Sequence, residues 1–320
     1  MQTLAIGSRP GLSWRGRLGL VALAIGVAAT AVFGGGYFVY VLNLTGIFAL
    51  VAIGLTLLTG LSGQISLGHA GFFAIGAYAS ALFTLKLGLP FWIAIPVAGA
   101  FATVIGALIA LPALRLKNLY LAIATLGFGI VTQKLIFEWR TVTGGGGGLQ
   151  VPTPMLFGLS LADGARMTGV IAVTLAAGTW GAYKVARGRT GRALTMLRES
   201  EMAAGCTGIH VARYKVVAFA LSAFYTAVAG GLYANLVRYI NPESFNVNMS
   251  IMFLAMIVIG GMGSVAGALL GAAFYVIVPE ALRGFKDAPG LIFGLSLMLV
   301  VILLPGGLAS VFRARAKAAT

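Results

Sequence analysis

The sequence predicts an all-α protein, a polytopic membrane bundle of about ten helical spans. Three observations predict it. Hydrophobic residues make up 59% of the chain and charged residues 9%, with a mean hydropathy of +0.99. That is too little charge to cover a soluble domain of this length. Apolar runs of roughly 17–25 residues recur, the length that crosses a bilayer core, without the polar–apolar alternation of a membrane barrel. Finally, Lys and Arg gather in a few segments between the runs.

Taken in order, a segment 1–17 carrying Arg9, Arg15 and Arg17 precedes a first run at 18–34. The pattern superficially resembles a signal peptide. Because it leads into further spans, it is read as a retained membrane helix. Further spans are expected at 37–59, 66–85, 91–111, 119–137, 166–186, 214–236, 249–262, 264–280 and 289–305. The membrane domain is therefore 18–308, followed by a basic tail at 309–320. The stretch 249–280 is split by Gly260-Gly261-Met262-Gly263 and reads either as one broken, re-entrant element or as two helices.

Threading these spans alternately places the N-terminal arginines, Arg115 with Lys117, the loop 187–213 and Arg313, Arg315 and Lys317 on one face. Positive charge marks the cytoplasmic side, so both termini are expected there. Arg283 and Lys286 fall on the other face, offset by Glu280 and Asp287. The net charge of +15 thus reflects topology and not nucleic-acid binding.

Several chemistries are poorly supported. The single cysteine, Cys206, allows no intramolecular disulfide, and His69 and His210 form no metal motif. The glycine run 144–148 in the external loop 138–165 lacks the GK[ST] of a phosphate-binding loop, and no such motif occurs elsewhere. That loop reads as a flexible connection or as a docking surface. Of the seven acidic residues, Glu138, Asp163, Glu199, Glu201, Glu243 and Asp287 lie in loops or at span ends, and Glu280 ends a span. Proton-coupled carriers and intramembrane acid–base enzymes need ionisable groups inside the bundle, so energy is expected from elsewhere.

Two segments carry candidate mechanism. In GLSGQISLGHAG (60–71), three glycines loosen the helix while Ser62, Gln64, Ser66 and His69 supply hydrogen-bonding groups without fixed charge. A broken helix of this kind can hold a polar or zwitterionic solute, and it can equally satisfy its own turn. These four, with Thr125, are the candidate substrate-path residues. The break faintly echoes GGMGSVAGALLGAAFY at 260–275, as an internal repeat would. The second segment is the loop 187–213. Arg187, Arg189, Arg192 and Arg198 precede Glu199, Glu201, Ala203 and Ala204, and Gly208 is a plausible helix end. A short helix across the cytoplasmic face is expected from about Arg198 to Gly208. An ordinary solvated basic loop would carry similar charge.

This loop resembles the EAA-type coupling loop of ABC-importer permeases, in which two alanines are followed four residues later by glycine. Here these are Ala203, Ala204 and Gly208, with Met202 in place of the usual glutamate and Glu201 one position earlier. Together with GLSGQISLGHAGFFAIGAY (60–78), LRLKNLYLAIATLGFG (114–129), TGGGGGL (143–149) and GGMGS (260–264), it resembles the branched-chain amino-acid ABC permease family, LivM-like, over most of 40–308. The resemblance implies an ABC-importer permease fold in a bacterial inner membrane. It also implies a second homologous permease (LivH-like), two cytoplasmic ATPases (LivG/LivF-like) that bind ATP and Mg, and an extracytoplasmic substrate-binding protein. This chain would hold no cofactor. Arg192, Arg198, Glu199, Glu201, Ala203, Ala204 and Gly208 would couple it to the ATPases. Branched-chain or other hydrophobic amino acids are the implied solutes. Urea, short amides and aromatic acids stay open within the family, and a passive channel stays open outside it.

Overall fold

The computed structural model describes residues 36–114, 116, 118–156, 158–161, 164–282, 289–304 and 306–310. The expected segment 1–17, the span at 18–34 and the tail beyond Ser310 lie outside the described residues, as do Arg115, Lys117, Asp163, Arg283, Lys286 and Asp287.

Every expected span inside the described residues coincides with a helix. These are α1 (Gly36–Leu55), continued by a π-helical turn at Thr56–Leu61, then α2 (His69–Leu87), α3 (Phe91–Ala113) and α4 (Asn118–Glu138). A four-residue helix, α5 (Arg140–Thr143), opens the long loop. Then come α6 (Gly164–Arg187), α7 (Arg189–Glu199), α8 (Glu201–Cys206), α9 (Val211–Val237), α10 (Val247–Gly260), α11 (Val265–Ala281) and α12 (Pro289–Leu303). Among the described residues, six helices are long and apolar enough to cross a membrane: Gly36–Leu61, His69–Leu87, Phe91–Pro112, Leu119–Glu138, Val211–Val237 and Pro242–Gly260. The helix α6 is long enough but less apolar, and Val265–Ala281 is apolar but shorter.

The centre of the bundle is α9. Its buried residues are mostly small, among them Ala218, Ala223, Ala227, Ala229, Gly230, Gly231 and Ala234. Small residues let backbones approach, which drives helix association where no hydrophobic effect operates between helices. A Cβ on Gly76 of α2 would land on the Ala227 backbone, and one on Gly230 would land on the Phe73 carbonyl. The α2–α9 crossing is thus backbone against backbone from both sides. An aromatic cluster fixes the other partners, with Phe73 5.4 Å from Phe253 and 5.9 Å from Phe245, and Phe48 5.7 Å from Phe253, centroid to centroid. Tyr225 of α9 donates to the Gly178 carbonyl of α6 at 2.8 Å.

The 249–280 stretch is two helices, α10 and α11, in an antiparallel hairpin. A Cβ on Gly260 would strike the Gly267 carbonyl and one on Gly271 the Met256 carbonyl, so only glycine permits the pairing. Ser264 caps α11 by accepting from the Gly267 N–H at 3.2 Å.

Among its described residues, the loop 138–165 is tied by turns and hydrogen bonds. Thr143 donates through Oγ1 to the Ile136 carbonyl (2.6 Å), and Gly144, Gly145 and Gly148 take left-handed φ of 78°, 60° and 71°. Strand β1 (Leu149–Gln150) then pairs antiparallel with β4 (Tyr239–Ile240), joining Leu149 to Ile240. Between them, β2 (Met155–Leu156) and β3 (Leu159–Ser160) form a hairpin. The Tyr239 hydroxyl donates to the Gly147 carbonyl at 2.9 Å. Close approach of this strand and ring accounts for the last glycine of the run: a Cβ on Gly148 would sit 2.6 Å from the Ile240 carbonyl.

The 27 residues of α9 at about 1.5 Å each span about 40 Å. They separate this glycine-loop end from a basic end, where α7 and α8 lie against the start of α9.

Candidate functional site

Between the π-helical turn and α2 the chain is non-helical over 63–68. Its position along α9 sets its depth. His69 hydrogen-bonds through Nε2 to Ser222 Oγ at 2.7 Å. Ser222 lies 11 residues into α9, about 17 Å from its start. The break therefore reaches the middle of the bundle, where unwound backbone survives only if buried in protein or lining a water-filled path.

Each polar residue named from sequence supports this break. Ser62 donates to the Leu58 carbonyl (2.6 Å), and Gln64 Nε2 donates to Ser62 Oγ (2.8 Å). Thr59 donates to the Gln64 carbonyl (3.0 Å). Thr125 reaches across from α4 to accept the Leu67 N–H at 3.0 Å, and Ser66 Oγ accepts the Gly68 N–H at 3.4 Å. His69 is 0% exposed and Thr125 and Ser66 1%. Gly68 nests against α4, where a Cβ would strike the Thr125 carbonyl. The opposite edge of the break, Gly63 and Ile65, is exposed, and Leu67 is half-buried. The five candidate side chains hold the break in shape, and its outward edge is backbone and aliphatic.

Sequence reasoning missed three buried hydroxyls around the break. Ser222 holds the His69 ring, Ser250 of α10 accepts the Ala70 N–H at 2.9 Å, and Thr226 sits one turn beyond Ser222. His69 Nδ1, Thr226 Oγ1 and Thr56 Oγ1 are buried and find no hydrogen-bond partner among the described residues. Two hydroxyls four residues apart inside an apolar span were the available signal for Ser222 and Thr226.

At the basic end, the single helix expected over Arg198–Gly208 is an elbow. Helix α7 ends at Glu199, Ser200 turns extended, and α8 starts with Ser200 Oγ accepting the Ala203 N–H at 3.2 Å. Gly208 closes it at φ 83°, donating to the Gly205 carbonyl. The elbow has its own hydrophobic core of Leu194, Leu197 and Ala204 against Leu58, Ala110, Leu121, Ala218 and Phe219. Glu201 pairs with the buried Lys215 of α9 at 2.6 Å. Arg192 donates to the Arg187 carbonyl at 3.2 Å, and Arg198 donates to the Gly60 carbonyl at 2.7 Å. Glu199, Met202 and Ala203 face outward, Met202 83% exposed. Arg198, expected to face a partner, is exposed, and its guanidinium also donates to the membrane domain at Gly60.

Six described helices long and apolar enough to cross a bilayer, packed around α9, define a multi-pass membrane protein. The family model described as "Branched-chain amino acid transport system / permease component" matches residues 37–304. The chain belongs to this family, and it is a permease subunit of an ABC importer, not an enzyme. It is 37% identical to the high-affinity branched-chain amino acid transport system permease protein LivM of Escherichia coli K12, over 86% of this chain and 70% of that protein. It is 28% identical to LivH of Salmonella typhimurium, over 82% and 90% respectively. It is also 26% identical to the guanosine ABC transporter permease protein NupQ of Bacillus subtilis, over 76% and 82%. No solved structure matches the chain.

Proposed function

We propose that this chain forms half of the translocation path of an ATP-driven importer for branched-chain or other hydrophobic amino acids. The relative LivM, by its name a branched-chain amino acid permease, carries the solute class. In this reading the chain crosses the bacterial inner membrane about ten times with both termini cytoplasmic, since the basic loops then share one side. A second homologous permease completes the path, which the joint similarity to LivM and LivH supports. Two ATPases bind ATP and Mg outside this chain, and an extracytoplasmic protein delivers solute to the glycine-loop end.

The observation that carries the mechanism is the elbow at the basic end. Its inner face is fixed by Leu194, Leu197 and Ala204, and its outer face offers Glu199, Met202 and Ala203 to a partner. A loop anchored only by lipid headgroups has no need of such a core. ATP-driven movement of that partner shifts the elbow, and the solute passes the exposed edge of the break at Gly63, Ile65 and Leu67. The edge is aliphatic and backbone, with Arg198 packed beside Gly63, and suits the apolar side chain of such a solute.

The test is purification of the tagged chain from native membranes in mild detergent. The expected result is a second permease and two ATPase chains at constant stoichiometry, with ATP-dependent leucine uptake after reconstitution. Recovery of this chain alone, moving solute down its gradient without ATP, would replace the importer with a passive channel.

A further inference from the structure

The sequence noted a faint echo between the glycine breaks at 60–63 and 260–264. The structure brings the two together. A Cβ on Gly60 would lie 2.5 Å from the Gly263 nitrogen, so the turns touch through bare backbone. A third glycine turn closes on them: a Cβ on Gly261 would lie 2.8 Å from the Gly306 carbonyl, and one on Gly307 would strike the Gly261 backbone. Three chain reversals from distant parts of the sequence therefore meet at one point of the basic end.

Arg198 holds that point. Gly60 lies in the last turn of the π-helical segment, where carbonyls run out of intrahelical donors. Arg198 Nη1 supplies one to the Gly60 carbonyl at 2.7 Å, a charge-assisted bond at the negative end of a helix. Gly63, at φ 72°, leaves room for the arginine stem, since a Cβ there would lie 3.1 Å from Arg198 Cγ. Gly263, at φ 84°, leaves room for its head: a Cβ there would lie 3.4 Å from Nη1 and 3.2 Å from the Gly60 carbonyl. Both turns are thus shaped around this side chain. Arg198 itself sits in the last turn of α7, two residues before the extended Ser200 that lets α7 and α8 bend.

We propose that Arg198 is the positioning residue that ties the α7–α8 elbow to the joined glycine breaks, so that displacement of the elbow is passed to the break at 60–68 as one motion. The proposal rests on the importer reading, in which something outside the membrane moves the elbow. It reassigns Arg198 from the ATPase-facing surface to the link behind it. Coupling between sites requires an element both sites can bias. The elbow otherwise grips the membrane domain through the aliphatic cluster around Leu197, which resists separation but permits sliding, and through the Glu201–Lys215 ion pair of α8 to α9. The arginine–carbonyl bond is the link that reaches the break itself.

The experiment uses the full complex in nanodiscs and proteoliposomes, with Arg198→Ala and Arg198→Lys. Spin labels go on the native, exposed Cys206 of α8 and on Met262→Cys in the second glycine turn. With Arg198 present, the label distance is expected to stay narrow and equal with and without ATP and vanadate. In Arg198→Ala it broadens and shifts between the two states, and Arg198→Lys, which keeps one donor, restores the narrow distance. Tritiated leucine taken up per ATP hydrolysed falls about three- to thirty-fold in Arg198→Ala, the range expected for loss of a coupling contact. An unchanged label distance in Arg198→Ala, or uptake and hydrolysis that fall together at a constant ratio, would overturn the link. Loss of the ATPases from the Arg198→Ala complex would also overturn it, since that assigns Arg198 to docking. Absence of ATP-driven uptake in the unmodified complex would count against the importer reading instead, and the label distances would still judge Arg198.

Discussion

The α2–α9 crossing sets the sharpest expectation for stability. Gly76 lies against the Ala227 backbone, and a methyl there meets atoms that cannot rotate away. Gly106 of α3 faces α9 more loosely: its Cβ would lie 2.7 Å from the Ala223 side chain. Gly127 of α4 has nothing within 4 Å. Alanine at each position adds the same methyl and the same helix propensity, so the three variants differ only in what that methyl meets. Overpacking costs about 1–3 kcal/mol, and relief of glycine's backbone entropy returns about 0.5–1 kcal/mol.

Gly127→Ala is therefore expected to be neutral or stabilising by up to about 1 kcal/mol. Gly76→Ala should be destabilised by about 1–2 kcal/mol, because the helices must move apart along a contact reinforced by Gly230. Gly106→Ala should fall between. The gap between the extremes is about 1–3 kcal/mol, roughly 5- to 150-fold in the folded-to-unfolded ratio. Titration of detergent-solubilised protein with sodium dodecyl sulfate, followed by tryptophan fluorescence, measures it. Equal midpoints for Gly76→Ala and Gly127→Ala would refute the claim that backbone contact at this crossing organises the bundle.

Two further variants probe the site. Gly208→Pro forces a φ near −65° where the chain needs 83° and removes the N–H that bonds the Gly205 carbonyl. It should abolish solute-stimulated ATP hydrolysis while membrane insertion continues, and normal stimulation would remove α8 from the coupling path. Ser222→Ala strips His69 Nε2 of its partner when Nδ1 already lacks one, which should cost about 1–3 kcal/mol in the same titration. Stability equal to the parent would show that the pair contributes nothing net.

The helices were legible because length and hydropathy alone mark a span, and each expected span within 36–310 holds a helix. Boundaries failed where tertiary partners decide them. The span expected from Ser66 starts at His69, with Gly68 as its N-cap and Thr125 holding Leu67 in the non-helical segment before it. The loop 187–213 was expected to hold one helix, and Ser200 divides it, since a serine that caps α8 must leave α7. Strands β1 and β4, two residues each and about 90 positions apart, carry no period to read. Five consecutive glycines suggested slack, whereas a side chain on Gly148 would meet Ile240 and Tyr239, one on Gly146 the Phe137 ring, and one on Gly145 Arg140.

Polar residues in an apolar chain invite assignment to a solute path, and here that inference meets a prior demand. A break at mid-depth exposes backbone N–H and C=O groups that no lipid can satisfy. Ser62, Ser66 and Thr125 answer that demand directly, Gln64 and His69 brace it through Ser62 and Ser222, and all five are buried. In the proposed path a solute therefore meets Gly63, Ile65 and Leu67. Recognition of an apolar side chain follows from that surface without any polar side chain being spent on it. If the proposed path holds, selection among hydrophobic amino acids depends on the shape of the edge, and substitutions at Gln64 or Thr125 are expected to change solute choice by moving the backbone they hold.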